Sequence, residues 1–322
     1  GDAALDRGEL DEMLMELLTP RTLERLDVAH DVEFSLAYKD VARFRASYLQ
    51  KAGGLGAVFR LVPPRVPSLA ELGCPESLWK LADRRSGLVV VAGPMSSGKS
   101  TTTAAMLDHI NKTRPCHVLT IEDPIEVVHE PLRAQITQRE VGTDTPSAAS
   151  ALREAARDDV DVVLVSDLRV AARAALDLVG SGVLVFATLR ASSAAAAVET
   201  LVDVFPPAEQ LAVRATIAES LAGIVAQQLV ATADGKSRVA VHEVVFATAA
   251  VVEAIRDAKT AELASIARAE RAQGTVTMDA ALELLMSAGR ITPESALERA
   301  VDKEAFARAV AHVRPDLADS LR

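Results

Sequence analysis

Residues Gly93-Pro94-Met95-Ser96-Ser97-Gly98-Lys99-Ser100 stand between an apolar run, Leu88 to Ala92, and a stretch with helical spacing. A strand, a glycine-bounded loop and a helix in that order form the cradle of a nucleoside triphosphate. Gly93 is expected to allow the turn off the strand. Gly98, having no Cβ, lets backbone N–H groups close around phosphate oxygens. The helix that begins at Lys99 adds its dipole and its unpaired amides. Lys99 is assigned to the β- and γ-phosphates and Ser100 to Mg²⁺, with Ser96, Ser97 and Thr101 as further cofactor-binding residues. ATP with Mg²⁺ is therefore the expected ligand. A Gly/Ser turn that matches by chance is the competing reading, and the flanking strand and helix weigh against it.

A chain of 322 residues has room for one α/β domain and a smaller companion. Its composition, 49% hydrophobic but only 3% aromatic, implies a core of Ala, Val and Leu, which suits a sheet covered by helices. Lys and Arg number 35 against 45 Asp and Glu, and the net charge of −10 opposes general affinity for nucleic acid or acidic membranes. Cys74 and Cys116 make neither a disulfide framework nor a zinc site, which fits a cytoplasmic protein. No run reaches the roughly 18 apolar residues of a membrane span, because Asp177 interrupts the longest candidate. Gly1-Asp2-Ala3 resembles no signal peptide, so membrane contact is expected only through a partner.

Residues 8–27 read as short helices, and 31–36, 41–47 and 55–62 read as strands with a turn at Gly53-Gly54-Leu55-Gly56. The expected N-terminal α+β domain is 1–62. Pro63-Pro64-Arg65-Val66-Pro67 follows as a stiff, extended connector within a linker of 63–68. The remaining domain, 69–322, opens with a helix at 76–83. It then alternates strands (88–92, 117–121, 161–165, 183–188) with helices (99–111, 147–156, 170–179), a doubly wound α/β pattern. From Pro207 onward the pattern reads as a helical tail interrupted by one strand at 238–245, with helix starts at Thr277, Thr292 and Asp302.

Further chemistry clusters at expected strand ends. Asp161 to Ser166-Asp167 is a buried-strand run ending in a carboxylate, the place of an acid that holds Mg²⁺ or its water, although an Asp that only caps the next helix fits the same letters. Glu122-Asp123-Pro124-Ile125-Glu126 follows the strand 117–121, and Glu122 suits activation of an attacking water; a solvated turn is the alternative. Arg43, Arg45 and Arg60 lie on strands of the small domain, where they are either a phosphate clamp or simply solvated. The histidines His109, His117, His129 and His242 show no metal-ligand spacing.

Together these segments resemble the secretion ATPase superfamily, and within it the PilT-like ATPases of type IV pilus retraction and twitching motility. The likeness runs from Ala42-Arg43-Phe44-Arg45 and Ala57-Val58-Phe59-Arg60 through the P-loop. It continues with Thr120-Ile121-Glu122-Asp123-Pro124-Ile125-Glu126 and Gln138-Arg139-Glu140-Val141-Gly142, and reaches Val202-Asp203-Val204-Phe205-Pro206. The resemblance implies a RecA-like P-loop core, a small PAS-like N-terminal domain and a C-terminal helical subdomain. It also implies Glu122 as water activator and Arg45 and Arg60 on the nucleotide phosphates. A homohexameric ring, or a mixed ring with a related ATPase, is expected to act on an inner-membrane platform protein at the cytoplasmic face.

Against that pattern, Ser166-Asp167 replaces Gly-Glu, drawing the carboxylate back by one bond of about 1.5 Å. Val183 and Arg190 stand where relatives carry the two histidines of the His box, and Arg190 keeps the capacity to donate to a γ-phosphate. Ser96 occupies a loop position where positive φ would be less comfortable than for Gly. Two readings follow: an ATP-hydrolysing retraction motor, and an attenuated nucleotide-binding paralogue that regulates or supports an active ring.

Overall fold

The computed structural model describes residues 6–39, 41–62 and 65–313. Helix α1 (Arg7–Glu16) starts at Asp6, whose carboxylate caps the first turn while Glu9 reaches back to the Asp6 amide. Helix α2 (Pro20–Ala29) starts at Thr19 with proline in its first position and ends at His30 in the left-handed region. Strands β1 (Asp31–Tyr38), β2 (Ala42–Lys51) and β3 (Gly54–Val62) form an antiparallel sheet. One face buries Val32, Phe34, Ala46 and Tyr48 against Leu14 and Leu26 of the helices. The other carries Glu33, Arg45 and Arg60, the alternation a strand imposes.

Helix α3 (Glu76–Ala82) leads into β4 (Gly87–Ala92), α4 (Lys99–Thr113), β5 (His117–Glu122) and β6 (Gln135–Glu140). Next come α5 (Ala148–Ala155), β7 (Val162–Val165), α6 (Ala172–Gly180), β8 (Leu184–Leu189), α7 (Ala194–Val202) and α8 (Gln210–Ser220). Strands β9 (Leu221–Ala231) and β10 (Arg238–Phe246) precede α9 (Ala249–Arg256), α10 (Leu263–Ala269), α11 (Met278–Ser287), α12 (Pro293–Arg299) and α13 (Lys303–Val313). The larger sheet has the order β10-β9-β4-β8-β7-β5-β6, parallel throughout except for β10 on β9. Apolar layers cover both faces, with Val90, Val163 and Val185 packed toward α5–α7 and Val89, Val91 and Phe186 toward α3 and α4. This is the α/β architecture of a mostly parallel sheet between helices.

The tail is not simply helical. Leu221–Ala231, expected as helix, is a strand inserted beside β4, while β10 lies on its outer side. Helix α8 runs into β9 without a turn residue, and a continuous apolar run buried on both faces has the same lettering in either conformation. Gly223 reveals the strand: a Cβ there would lie 2.9 Å from the Val245 carbonyl oxygen of β10. Strand β6, mostly polar and on the sheet edge, also escapes the apolar pattern. The terminal helices cluster Met278, Leu282, Met286 and Phe306 around Val230, Val239 and Val241 of the β9–β10 hairpin.

Candidate nucleotide site

Because β4, β5, β7 and β8 are parallel, their carboxyl ends share one edge, and the loops that leave it meet the Arg-bearing face of the small sheet. A cleft of about 870 Å³ opens there. Ser96, Ser97, Gly98, Lys99, Ser100, Thr101, Glu122, Asp167, Arg45, Arg60 and Arg190 all line it. Gly93 lies behind them.

The reason for glycine at 93 differs from the expected one. Its φ is not positive, but a Cβ would sit 2.4 Å from both the Gln227 carbonyl oxygen and Ser97 Oγ, so β9 leaves no room for a side chain. Gly98 does adopt a left-handed φ of 86°, and Ser96 joins it at 60°, a conformation that a non-glycine residue holds only under constraint. Part of that constraint is Gln227, almost completely buried on β9, whose Nε2 donates to the Ser97 carbonyl at 2.8 Å. Sequence reasoning missed Gln227, because the strand that carries it read as helix.

Lys99 Nζ donates to the Gly93 and Pro94 carbonyls of its own loop at 3.0 and 2.8 Å. Burial and then the Arg190 charge push its pKa below the ordinary lysine value, so an anion in the cradle would relieve both effects. Ser97 Oγ is buried without a hydrogen-bond partner. An ammonium turned onto carbonyls, an unpaired hydroxyl and the amino end of a 15-residue helix fit a polyphosphate. Ser100 and Asp167 supply the hard oxygen donors that Mg²⁺ prefers when it is shared with phosphate.

The two carboxylates have different surroundings. Glu122 ends β5 and is buried; burial raises its pKa, while bonds from Thr120 Oγ1 at 2.7 Å and Gln138 Nε2 at 3.2 Å act in the opposite direction. Asp167 follows β7 and caps a short 3₁₀ turn through the Arg169 amide at 3.1 Å. The Arg169 guanidinium also reaches both of its carboxylate oxygens. Burial alone would raise the Asp167 pKa, but these bonds and the charges of Arg169 and Arg190 together hold it below the usual value. The helix-capping reading and the cleft-lining reading of Asp167 therefore both describe its geometry.

Arg45 and Arg60 are direct partners in the β2–β3 register and project from one face of the small sheet. Arg45 bonds Glu33 at 2.5 Å and Glu126 at 2.8 Å, the latter across to the loop that follows β5. Arg60 makes no ion pair among the described residues, and Arg43 does not line the cleft. The two His-box positions separate in space. Arg190 leaves β8 at the cleft edge, whereas Val183 precedes β8 at the opposite edge and packs in the core. Valine at 183 therefore removes nothing from the cleft itself. Among the described residues no group of three or more His, Cys, Asp or Glu side chains is placed to hold a metal ion.

Residues 24–278 match the Type II/IV secretion system protein family. The chain is 44% identical over 278 residues to a twitching motility protein of Neisseria gonorrhoeae, covering 86% of this chain and 74% of that one. It is 39% identical over 304 residues to the type IV pilus retraction ATPase PilT of Pseudomonas aeruginosa, covering 94% and 88%. Its structure superposes on the crystal structure of the pilus retraction motor PilT with bound ADP at a TM-score of 0.83, with 36% identity over 92% of this chain and 85% of that one. Cleft, topology and likeness agree, and the chain belongs to the Type II/IV secretion system protein family, sharing the build of the pilus retraction ATPases.

Proposed function

We propose that this chain is an ATP-hydrolysing motor of type IV pilus retraction and twitching motility. One observation carries the proposal: in a relative of retraction ATPases, Lys99, Glu122, Asp167, Arg190 and the Arg45/Arg60 pair come from separate segments to one cleft. In this reading residues 1–62 form a clamping domain joined through 63–68 to the motor domain 69–322. The motor works as a homohexamer, or in a mixed ring with a related ATPase, on a platform protein at the cytoplasmic face of the inner membrane. No helix among the described residues is long and apolar enough to cross a membrane.

The chemistry is in-line attack of water on the γ-phosphorus of ATP. The Glu122 carboxylate takes the water proton as the new P–O bond forms; the bond to the bridging oxygen breaks, and ADP leaves with that electron pair. Ser96 to Thr101 bind the polyphosphate through backbone amides, and Lys99, Arg45, Arg60 and Arg190 face the charge that accumulates on its oxygens. Ser100 and Asp167 would hold Mg²⁺, whose contribution is electrophilic neutralisation of the phosphate oxygens. An attenuated paralogue, the other reading of Ser166-Asp167 and of the His-box positions Val183 and Arg190, is not favoured by the likeness to retraction proteins.

The test is ATP turnover by the pure protein beside nucleotide affinity, with Lys99→Ala as the blank. Turnover is expected to exceed the blank by about 100-fold or more, the scale on which a single preorganised donor acts. ATP binding with turnover equal to the blank would overturn the motor assignment.

A further inference from the structure

The Glu122 carboxylate is not oriented by nucleotide-binding residues. Thr120 and Glu122 share a face of β5, two residues apart, and Thr120 is the register partner of Gln138 on β6. Both neighbours donate to the same oxygen, Oε1, which leaves Oε2 with only a long contact of 3.5 Å to the Glu126 amide. Gln138 is itself held. Its Oε1 accepts the His129 amide at 2.8 Å and its Nε2 donates to the Val127 carbonyl at 2.8 Å. A backbone N–H only donates and a carbonyl only accepts, so these contacts determine which end of the amide faces Glu122. Gln138 does not line the nucleotide cleft.

We propose that Gln138 is a positioning residue for hydrolysis, turning Oε2 of Glu122 toward the attacking water by occupying Oε1. The proposal rests on Glu122 as the proton acceptor. It assigns to Gln138 an effect on the chemical step and none on nucleotide binding, because its partners are Glu122 and the backbone of residues 127 and 129. Misplacement of a reacting group by about 1 Å costs on the order of 100-fold in rate, which sets the scale of the effect.

Gln138→Met removes all three bonds at similar volume. Gln138→Glu keeps an acceptor for the His129 amide but loses the donor to Glu122. Both are expected to lower kcat by about 10- to 100-fold while the KM for ATP and the affinity for a fluorescent ATP analogue stay within about 2-fold. Single-turnover hydrolysis by Glu122→Gln and by the Glu122→Gln/Gln138→Met double variant completes the cycle. If Gln138 acts through Glu122, the second substitution adds almost nothing. An unchanged kcat, or an equal further loss in the double variant, overturns the proposal. Should the methionine variant fail to fold, Gln138→Glu in the same cycle decides it. Wild-type turnover by Glu122→Gln would instead overturn the proton-acceptor reading, while an impaired Glu122→Gln beside full-speed Gln138 variants overturns only the role given to Gln138.

Discussion

Gln227 and Gly93 form one device in which a strand presses against the phosphate loop. The Gln227 carbonyl occupies the space a side chain at 93 would need, and the Gln227 amide grips the Ser97 carbonyl one turn later. Losing that grip leaves a buried carbonyl unpaired, at a cost of about 1–3 kcal/mol. Because the bond holds the Ser97 carbonyl between the left-handed residues Ser96 and Gly98 of the loop that presents the amides, Gln227→Leu is expected to weaken ATP binding by about 10-fold. Titration with a fluorescent analogue measures this, and unchanged affinity would show that the loop holds its shape without β9. Lys99 is a second residue whose surroundings matter more than its motif. Desolvated and facing Arg190, it is poised to gain from a polyanion.

At the scale of an element, helix α7 shows how the sheet and the helices are joined. Ser193 caps its amino end, and the buried Glu243 of β10 accepts the Ala194 amide at 2.9 Å. Burial raises the Glu243 pKa, the amide bond opposes that rise, and the charge of Asp279 adds to it. An acid raised in the folded state favours its neutral form, so its stabilising effect is complete below the unfolded value and is lost as pH climbs through the folded one. Glu243→Gln keeps an acceptor for the amide without the charge. Thermal melts should therefore show little difference from the wild type near pH 4 and a growing advantage for the variant as pH rises toward 8. A difference that is constant with pH would exclude the charge as the cause.

Over the whole molecule, side chains of the N-terminal unit reach directly onto the loops that leave the larger sheet. Arg45 bonds Glu126, and Arg21 donates to the Thr143 carbonyl at 2.6 Å. In the proposed mechanism the Arg45 guanidinium must exchange Glu126 for phosphate, so the carboxylate competes with the γ-phosphate for one cation. Both side chains are partly exposed, at 28% and 37%, which keeps the pair in the range of surface-weighted ion pairs of about 0.2–1 kcal/mol. Glu126→Gln should accordingly raise the preference for a nonhydrolysable ATP analogue over ADP by about 2- to 5-fold in competition titrations. Equal preference in the variant and the wild type would detach Arg45 from phosphate recognition.

What the letters settled by themselves is the part that is contiguous. Gly98 to Ser100 place a left-handed glycine, a lysine and a hydroxyl at the start of one helix, so local propensity and steric rules suffice to read a phosphate loop there, although the reason for Gly93 lies in β9. Glu122, which ends β5, and Asp167, two residues past the end of β7, were legible for the same reason, since a carboxylate at or just after the end of a β-branched run lies at the sheet edge wherever that strand pairs. Only the tertiary structure decided that Leu221–Ala231 is a strand, that Gln227 grips a carbonyl 130 residues away, and that Arg45 rests on Glu126. The physical reason is common to all three. A buried apolar run has no period that distinguishes strand from helix, and a side chain's partner across a sheet depends on strand order, which local lettering does not carry.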